Sequence, residues 1–173
     1  MNTEVAVKTL IGKGHQFFAK ELSIDLGSNI SKALGCWIIN HKYETYNIGR
    51  ELHIRGSYDI EMWLALDDDQ KSEVKRERVE FDELVNSAYK NIITLNDDLY
   101  LKTIVKHYPT CSKLELKDGK LEILIESEYL IDIFAEAILV VVCADKGGAD
   151  LSLDEEMLLN INPEYLKIGK KKN

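Results

Sequence analysis

Apolar and polar residues alternate along much of this 173-residue chain. In residues 52–66 the even positions are apolar apart from Gly56, whereas the odd positions up to Glu61 are polar or charged. A period of two predicts a strand with one buried face. Because this strand is long, Gly56 and Ser57 predict a bulge or bend within it. Residues 71–81 are expected to return as its antiparallel partner.

The second half of the chain repeats this pattern. Asp118 and Gly119 stand between two alternating runs, which is a strong signal for a two-residue hairpin. When residues 52–63 are aligned with residues 123–134, Tyr58 falls on Tyr129. The alignment favours two related β-units over one irregular fold.

The predicted fold is therefore mainly β, with two related antiparallel β-units in a sandwich- or barrel-like arrangement and a short helical C-terminal tail. The predicted units are residues 1–90, residues 91–145 and, for the tail, residues 146–173. Residues 5–11 are expected to form a strand. Two helices are expected as well: one at 81–88, from its i, i+3, i+4, i+7 apolar spacing, and one in the tail after the capping box at 152–155.

Alternation also predicts which side chains are buried. In the stretch around Trp37, residues Trp37, Ile39, His41 and Tyr43 are expected on one face and Cys36, Ile38, Asn40 and Lys42 on the other. The predicted core contains Trp37, Ile54, Tyr58, Ile60, Met62, Ile123, Ile125, Ile131, Ile133, Val140 and Val142.

Composition narrows the possible partners. A net charge of -8 and a pI near 5.1 disfavour binding to nucleic acid or to an anionic membrane surface. The longest apolar run, at 137–144, has the length of a strand, so no membrane insertion is expected. The N-terminus has no apolar segment typical of a secretory signal. Three widely spaced cysteines do not form a disulfide framework, and they favour synthesis in a reducing cytosol.

No catalytic arrangement emerges from the motifs. The four histidines are scattered and match no metal-binding spacing. Cys36 and His41 are five residues apart, so in a regular strand they point to opposite faces and cannot form a dyad. The predictions are therefore no catalytic residue, no cofactor and no metal site. The alternative is a small-molecule- or metal-binding β-barrel, possibly an enzyme, in which His15, His41, His53 or His107 would have to approach within about 4–5 Å of one another.

Residues 34–81 read LGCWIINHKYETYNIGRELHIRGSYDIEMWLALDDDQKSEVKRERVEF. This stretch closely resembles the CotE family of outer spore coat morphogenetic proteins, and the similarity extends from about residue 12 to residue 166. The matching positions are Gly35, Cys36, Trp37, Asn40, His41, Lys42, Tyr43, Gly56, Tyr58, Asp59, Ile60, Trp63, Arg76, Glu77, Arg78, Pro109, Cys111 and the INPEYL segment at 161–166.

The resemblance implies a non-enzymatic scaffold rather than a catalyst. Such proteins gather in the mother-cell cytoplasm at the forespore surface and then become part of the spore coat. They self-associate, recruit other spore coat proteins, and depend on a basement-layer coat ATPase for their position. A plain structural subunit of the coat, on which no other protein depends, stays open as an alternative. The acidic tail of several relatives is shortened here and is followed by lysines at 167 and 170–172.

Three segments are the candidate interface of such a scaffold. His41 and Tyr43 lie toward the wetter end of their strand. Residues 72–81 are expected to form the outer edge of the first unit, where charges of alternating sign could pair with a partner strand. The tail supplies a cluster of apolar residues. The full set is His41, Tyr43, Lys75, Arg76, Glu77, Arg78, Ile161, Asn162, Pro163, Tyr165 and Leu166.

Overall fold

The computed structural model describes residues 2–27 and 29–142, and six long strands account for most of them. The strands are β1 (Asn2–Asp25), β2 (Ile30–Ile48), β3 (Glu51–Leu66), β4 (Lys71–Tyr89), β5 (Tyr100–Lys117) and β6 (Lys120–Val142). They form one antiparallel sheet in the order β2-β3-β4-β1-β6-β5. The prediction of a mainly β protein is confirmed, as is the N-terminal strand.

The helix expected at 81–88 is wrong, because these residues continue β4. Val85 is buried while Leu84 and Ala88 are exposed, which is the alternation of a strand rather than one face of a helix. No helix occurs in the part of the chain that the structure describes, and so none there could span a membrane. The expected tail helix lies outside the described residues.

The two predicted hairpins are confirmed by their register. β3 pairs with β4 continuously from Leu52↔Val85 to Leu66↔Lys71. β5 pairs with β6 up to Lys117↔Lys120, on either side of Asp118 and Gly119. Both turn residues have positive φ, at 52° and 77°, which aspartate and glycine adopt more readily than other residues do.

The strand order defines the edges of the sheet. β4 lies between β3 and β1, so the edge strands are β2 and β5. The expectation that 72–81 forms an outer edge stays a prediction, because the partners that the structure gives these residues are on β3. β4 pairs with β1 near its C-terminal end, where Asn86–Tyr89 lie in antiparallel register with Gly12–His15. A long strand that pairs with different neighbours along its length cannot be recognised from its own alternation.

The sheet within Glu4–Leu139, one compact unit, curls until its edge strands meet. Cα atoms of β2 and β5 approach to within 8 Å, and the hydroxyl oxygens of Thr45 and Thr103 are 2.7 Å apart in a hydrogen bond. The inner face carries two apolar clusters, one around Ile60 and Ile123 and the other around Ile54 and Ile131. The division at residues 90 and 145 stays a prediction.

Most of the predicted core is buried. The buried members are Ile54, Tyr58, Ile60, Met62, Ile123, Ile125, Ile131 and Ile133. Three predictions are wrong: Trp37, Val140 and Val142 are 53%, 60% and 76% exposed. In β6 the alternation of burial stops at Ala137, which forms an isolated bridge with Thr94. Val140 and Val142 lie beyond Ala137, where the sequence is still apolar but the side chains are exposed. Trp37 is exposed for a different reason, which lies in the geometry of β2.

Replacing Ile60 with alanine should lower the free energy of unfolding by about 2–5 kcal/mol, since Ile60 is fully buried at the centre of one cluster. Leu84→Ala is the matched control, because Leu84 is 53% exposed on the neighbouring strand and its replacement should cost less than about 1 kcal/mol. Urea unfolding followed by circular dichroism measures both. Equal losses for the two variants would contradict the inward register of β3.

Candidate functional site

A bulge in β2 controls the placement of the candidate residues. The register with β3 shifts between Ile39↔Asp59 and Lys42↔Ser57, so β2 holds one extra residue at this point. Asn40 adopts a φ of 53°, and its side-chain amide donates a hydrogen bond of 2.7 Å to Asp59 Oδ2. Asparagine tolerates this left-handed conformation better than most residues do. The sequence predicted a bulge in β3 at Gly56 and Ser57, but the extra residue lies in the neighbouring strand.

Gly56 matters at this bulge for another reason. It lies opposite Tyr43, and a Cβ atom added to it would collide with the carbonyl oxygen of Lys42 and approach the Phe81 ring to 2.9 Å. Only a residue without a side chain allows β2 to come this close to β3.

The bulge reverses the alternation of β2. Before it, Cys36 and Ile38 pack against the inner cluster while Trp37 is exposed. After it, His41 contacts the buried ring of Tyr129, so the inward positions change from even to odd numbers. The predicted faces are therefore wrong for the residues before the bulge, since the expectation assumed an unbroken strand. These residues are Cys36, Trp37, Ile38 and Ile39.

His41 lies at the centre of an aromatic cluster where β2 and β5 meet. Its ring stacks on Tyr43 with centroids 5.2 Å apart and on Phe81 at 6.5 Å. Tyr108 of β5 meets it edge-on at 5.9 Å, and Tyr129 of β6 lies 6.0 Å away. Two predicted interface residues, His41 and Tyr43, are thus brought together and help to join the edge strands.

The polar atoms of this cluster are only partly satisfied. His41 Nε2 and the Tyr129 hydroxyl oxygen are 2.9 Å apart in a hydrogen bond, whereas His41 Nδ1 is buried and has no hydrogen-bond partner among the described residues. Burial lowers the pKa of His41 and raises the pKa of Tyr129 to about 12. Both rings are therefore uncharged near neutral pH.

The side chains considered for catalysis or metal binding contact other groups. Cys36 and His41 do both point inward, contrary to the prediction, but the thiol meets Cys111 and the imidazole meets Tyr129. His15 and His53 contact Glu128 and Glu51 instead of other histidines. Among the described residues, no group of three or more histidine, cysteine, aspartate or glutamate side chains could hold a metal ion.

Two cavities bear on the alternative of a small-molecule-binding barrel. An inner cavity of about 220 Å³ is lined mainly by aromatic and apolar side chains, among them Phe18, Tyr58 and Ile125, together with the polar residues Lys20, Glu83 and Ser127. It is smaller than the range of about 300–1,000 Å³ that is usual for ligand sites. A depression of about 540 Å³ lies over Gly56, but it is open to solvent and lined largely by charged residues such as Arg55.

The four charged candidates on β4 divide between the two faces of the sheet. Arg76 and Arg78 point outward and pair with acidic residues of β3, at 2.7 Å to Glu61 and 3.6 Å to Asp59. Lys75 and Glu77 lie opposite Met62 and Ile60 and therefore share the inner face. The tail candidates Ile161, Asn162, Pro163, Tyr165 and Leu166 lie outside the described residues.

A pair of exposed tryptophans on the outer face was missed. Trp37 and Trp63 meet edge-to-face with centroids 6.0 Å apart, and Val74 lies directly opposite Trp63 on β4. Trp63 and Val74 are 40% and 41% exposed. We call Trp37, Trp63 and Val74 the outer tryptophan patch. Trp63 could have been found from its odd-numbered position in an alternating strand, but Trp37 could not, because its face depends on the bulge.

Comparison with known proteins gives one match. The family model of outer spore coat protein E (CotE) matches residues 1–168 of this chain. No curated protein and no solved structure matches it.

The buried His41 should make stability depend on pH. Its pKa is lowered in the folded state, so just below the ordinary value of 6.5 the unfolded chain binds a proton that the folded chain does not. The stability that neutral, buried His41 contributes to the fold is therefore fully present above pH 6.5, and it is lost as the pH falls through the lowered pKa of the folded state. His41→Phe should therefore flatten the dependence of the urea midpoint on pH between about pH 7 and about pH 5.

His107→Gln is the control for this experiment, because His107 lies exposed on β5 and its variant should keep the wild-type slope. If the slope survived in His41→Phe and disappeared in His107→Gln, the assignment to His41 would be wrong.

Proposed function

Because the chain belongs to the CotE family of outer spore coat proteins, we propose that it is a non-enzymatic scaffold that self-associates and recruits other coat proteins. The observation that carries this proposal is the family match over residues 1–168, which spans the whole described sheet. In this proposal the protein assembles in the mother-cell cytoplasm at the forespore surface. A basement-layer coat ATPase holds it there until it becomes part of the outer coat.

The outer tryptophan patch supports self-association. Large exposed aromatic side chains are uncommon on a surface that only faces water, and tryptophan is enriched where protein interfaces gain most of their binding energy. Trp37 and Trp63 together present two indole rings on a sheet face. A flat apolar surface of this kind suits another protein surface.

A second copy of the chain is the occupant that we propose for this patch. Arg76 with Glu61, and Arg78 with Asp59, form acid–base pairs in consecutive outer rows next to the tryptophans. Two copies packed face to face in opposite directions would place the arginines of one near the acids of the other. Because this surface carries charges of both signs, it would bind less well to an unrelated protein surface whose charges are all of one sign.

The remaining candidates have secondary roles in this proposal. Tyr43 and the exposed Tyr108 flank His41 where β2 meets β5, and they would contact a neighbouring copy at its margin. Residues 161–166, which match the family's INPEYL segment, are proposed to recruit other coat proteins.

Replacing both Trp37 and Trp63 with serine should abolish self-association, because the apolar surface that two copies share is removed. Light scattering coupled to size-exclusion chromatography, at roughly 10 µM protein in low salt with reductant, should show wild-type oligomers and a monomeric double variant. The reductant excludes intermolecular disulfides as the cause.

Ile48→Ser is the matched control, since Ile48 is 64% exposed and lies at the C-terminal end of β2, away from Trp37. It should remain oligomeric, and circular dichroism should show that all three proteins keep their strands. A monomeric wild type would contradict self-association. A double variant that assembled like the wild type would place the contact elsewhere.

A further inference from the structure

Two thiols meet where the edges of the curled sheet come together. Cys36 lies on β2 and Cys111 on β5, and both pack against the inner cluster that contains Ile60. The Cys111 side chain lies close enough to Cys36 to influence the pKa of the Cys36 thiol, and Cys111 Sγ lies 3.4 Å from the carbonyl oxygen of Lys113. Both cysteines are free and half-buried.

The backbones of the two strands are already held near each other. Cα atoms of β2 and β5 come within 8 Å, and the Thr45–Thr103 hydrogen bond joins the strands further along. The strands are nevertheless the two ends of the strand order, with no ladder of backbone hydrogen bonds between them in the described residues. The contact between β2 and β5 therefore depends on side chains. A covalent bond here would join two strands that backbone hydrogen bonds do not connect in the described part of the chain.

We propose that Cys36 and Cys111 form an intrachain disulfide that closes the curled sheet covalently. The observation that carries it is that both cysteines pack against one apolar cluster, on two strands that are far apart in sequence yet meet in space. The proposal is independent of the scaffold function, because it concerns one copy of the chain only. Its failure would leave self-association untouched.

The oxidant is a low-molecular-weight disulfide, and the reaction is two successive exchanges. The thiolate of Cys111 first attacks one sulfur of the small disulfide, which forms a mixed disulfide and releases one small thiolate. The thiolate of Cys36 then attacks the Cys111 sulfur and displaces the second small thiolate. The two protons lost by the cysteines go to the two released thiolates. Two electrons pass from the protein to the oxidant, one sulfur–sulfur bond is broken and one is formed.

The second exchange should be slow near neutral pH. Burial, together with the neighbouring Cys111, raises the pKa of Cys36 to about 12, so only a small fraction of this thiol is the reactive thiolate. The pair would therefore stay reduced during brief exposure to oxidant and would close under prolonged oxidation. The rate of closure should rise with pH roughly tenfold per unit below the pKa of Cys36, where closure limits the reaction.

The test is to incubate the full-length protein with oxidised glutathione at several pH values, block the remaining thiols, digest the protein without reduction and map the peptides by mass spectrometry. The expected product is a monomer two hydrogen atoms lighter, with a cross-linked peptide that contains Cys36 and Cys111. Its thermal midpoint should exceed that of the reduced protein.

Cys143→Ser is the matched control, since it leaves both proposed partners in place and should form the same cross-link. Cys36→Ser and Cys111→Ser should each lose it, and mapping of the wild type avoids any dependence on how well these variants fold. Cross-links that always include Cys143, cross-links only between chains, or free Cys36 and Cys111 after prolonged oxidation at high pH would each overturn the proposal.

Discussion

Burial of one face of β3 and β6 is the constraint on which the rest of the structure depends. Each is the middle strand of a run of three in the sheet, and each alternates between buried and partly exposed residues over most of its length. Residues from the two strands share both apolar clusters, as Ile60 and Ile123 do in one and Ile54 and Ile131 in the other. A flat sheet would leave these side chains in water, so the sheet curls until the two middle strands face each other.

Curling brings the edge strands β2 and β5 together, and the bulge in β2 determines which side chains meet there. A regular β2 would place His41 outward, but the extra residue at Asn40 turns the imidazole toward Tyr129 and the β5 edge. The same bulge leaves Trp37 outside, beside Trp63. One backbone irregularity thus creates both the buried aromatic cluster that joins the edges and the exposed patch that we propose for self-association.

The sequence was informative wherever alternation continued without interruption. The registers of β3 with β4 and of β5 with β6, and eight of the predicted core residues, follow from a period of two and from turn chemistry. It was uninformative wherever the outcome depended on a neighbouring strand. The bulge at Asn40 and the interior position of β4 are set by tertiary pairing, and no local pattern encodes them. The contact of Cys36 with Cys111 was hidden for the same reason, since it joins the two ends of the strand order.

Membership in the outer spore coat family is consistent with a role in assembly. The central claim is that other coat proteins depend on this chain. Thin-section electron microscopy of spores that lack the gene, beside spores in which the wild-type gene is restored, tests it most directly. The account predicts that the outer coat is lost without the gene and returns with it. An outer coat that stays complete and attached in the absence of the protein would contradict a scaffold and leave only a structural subunit.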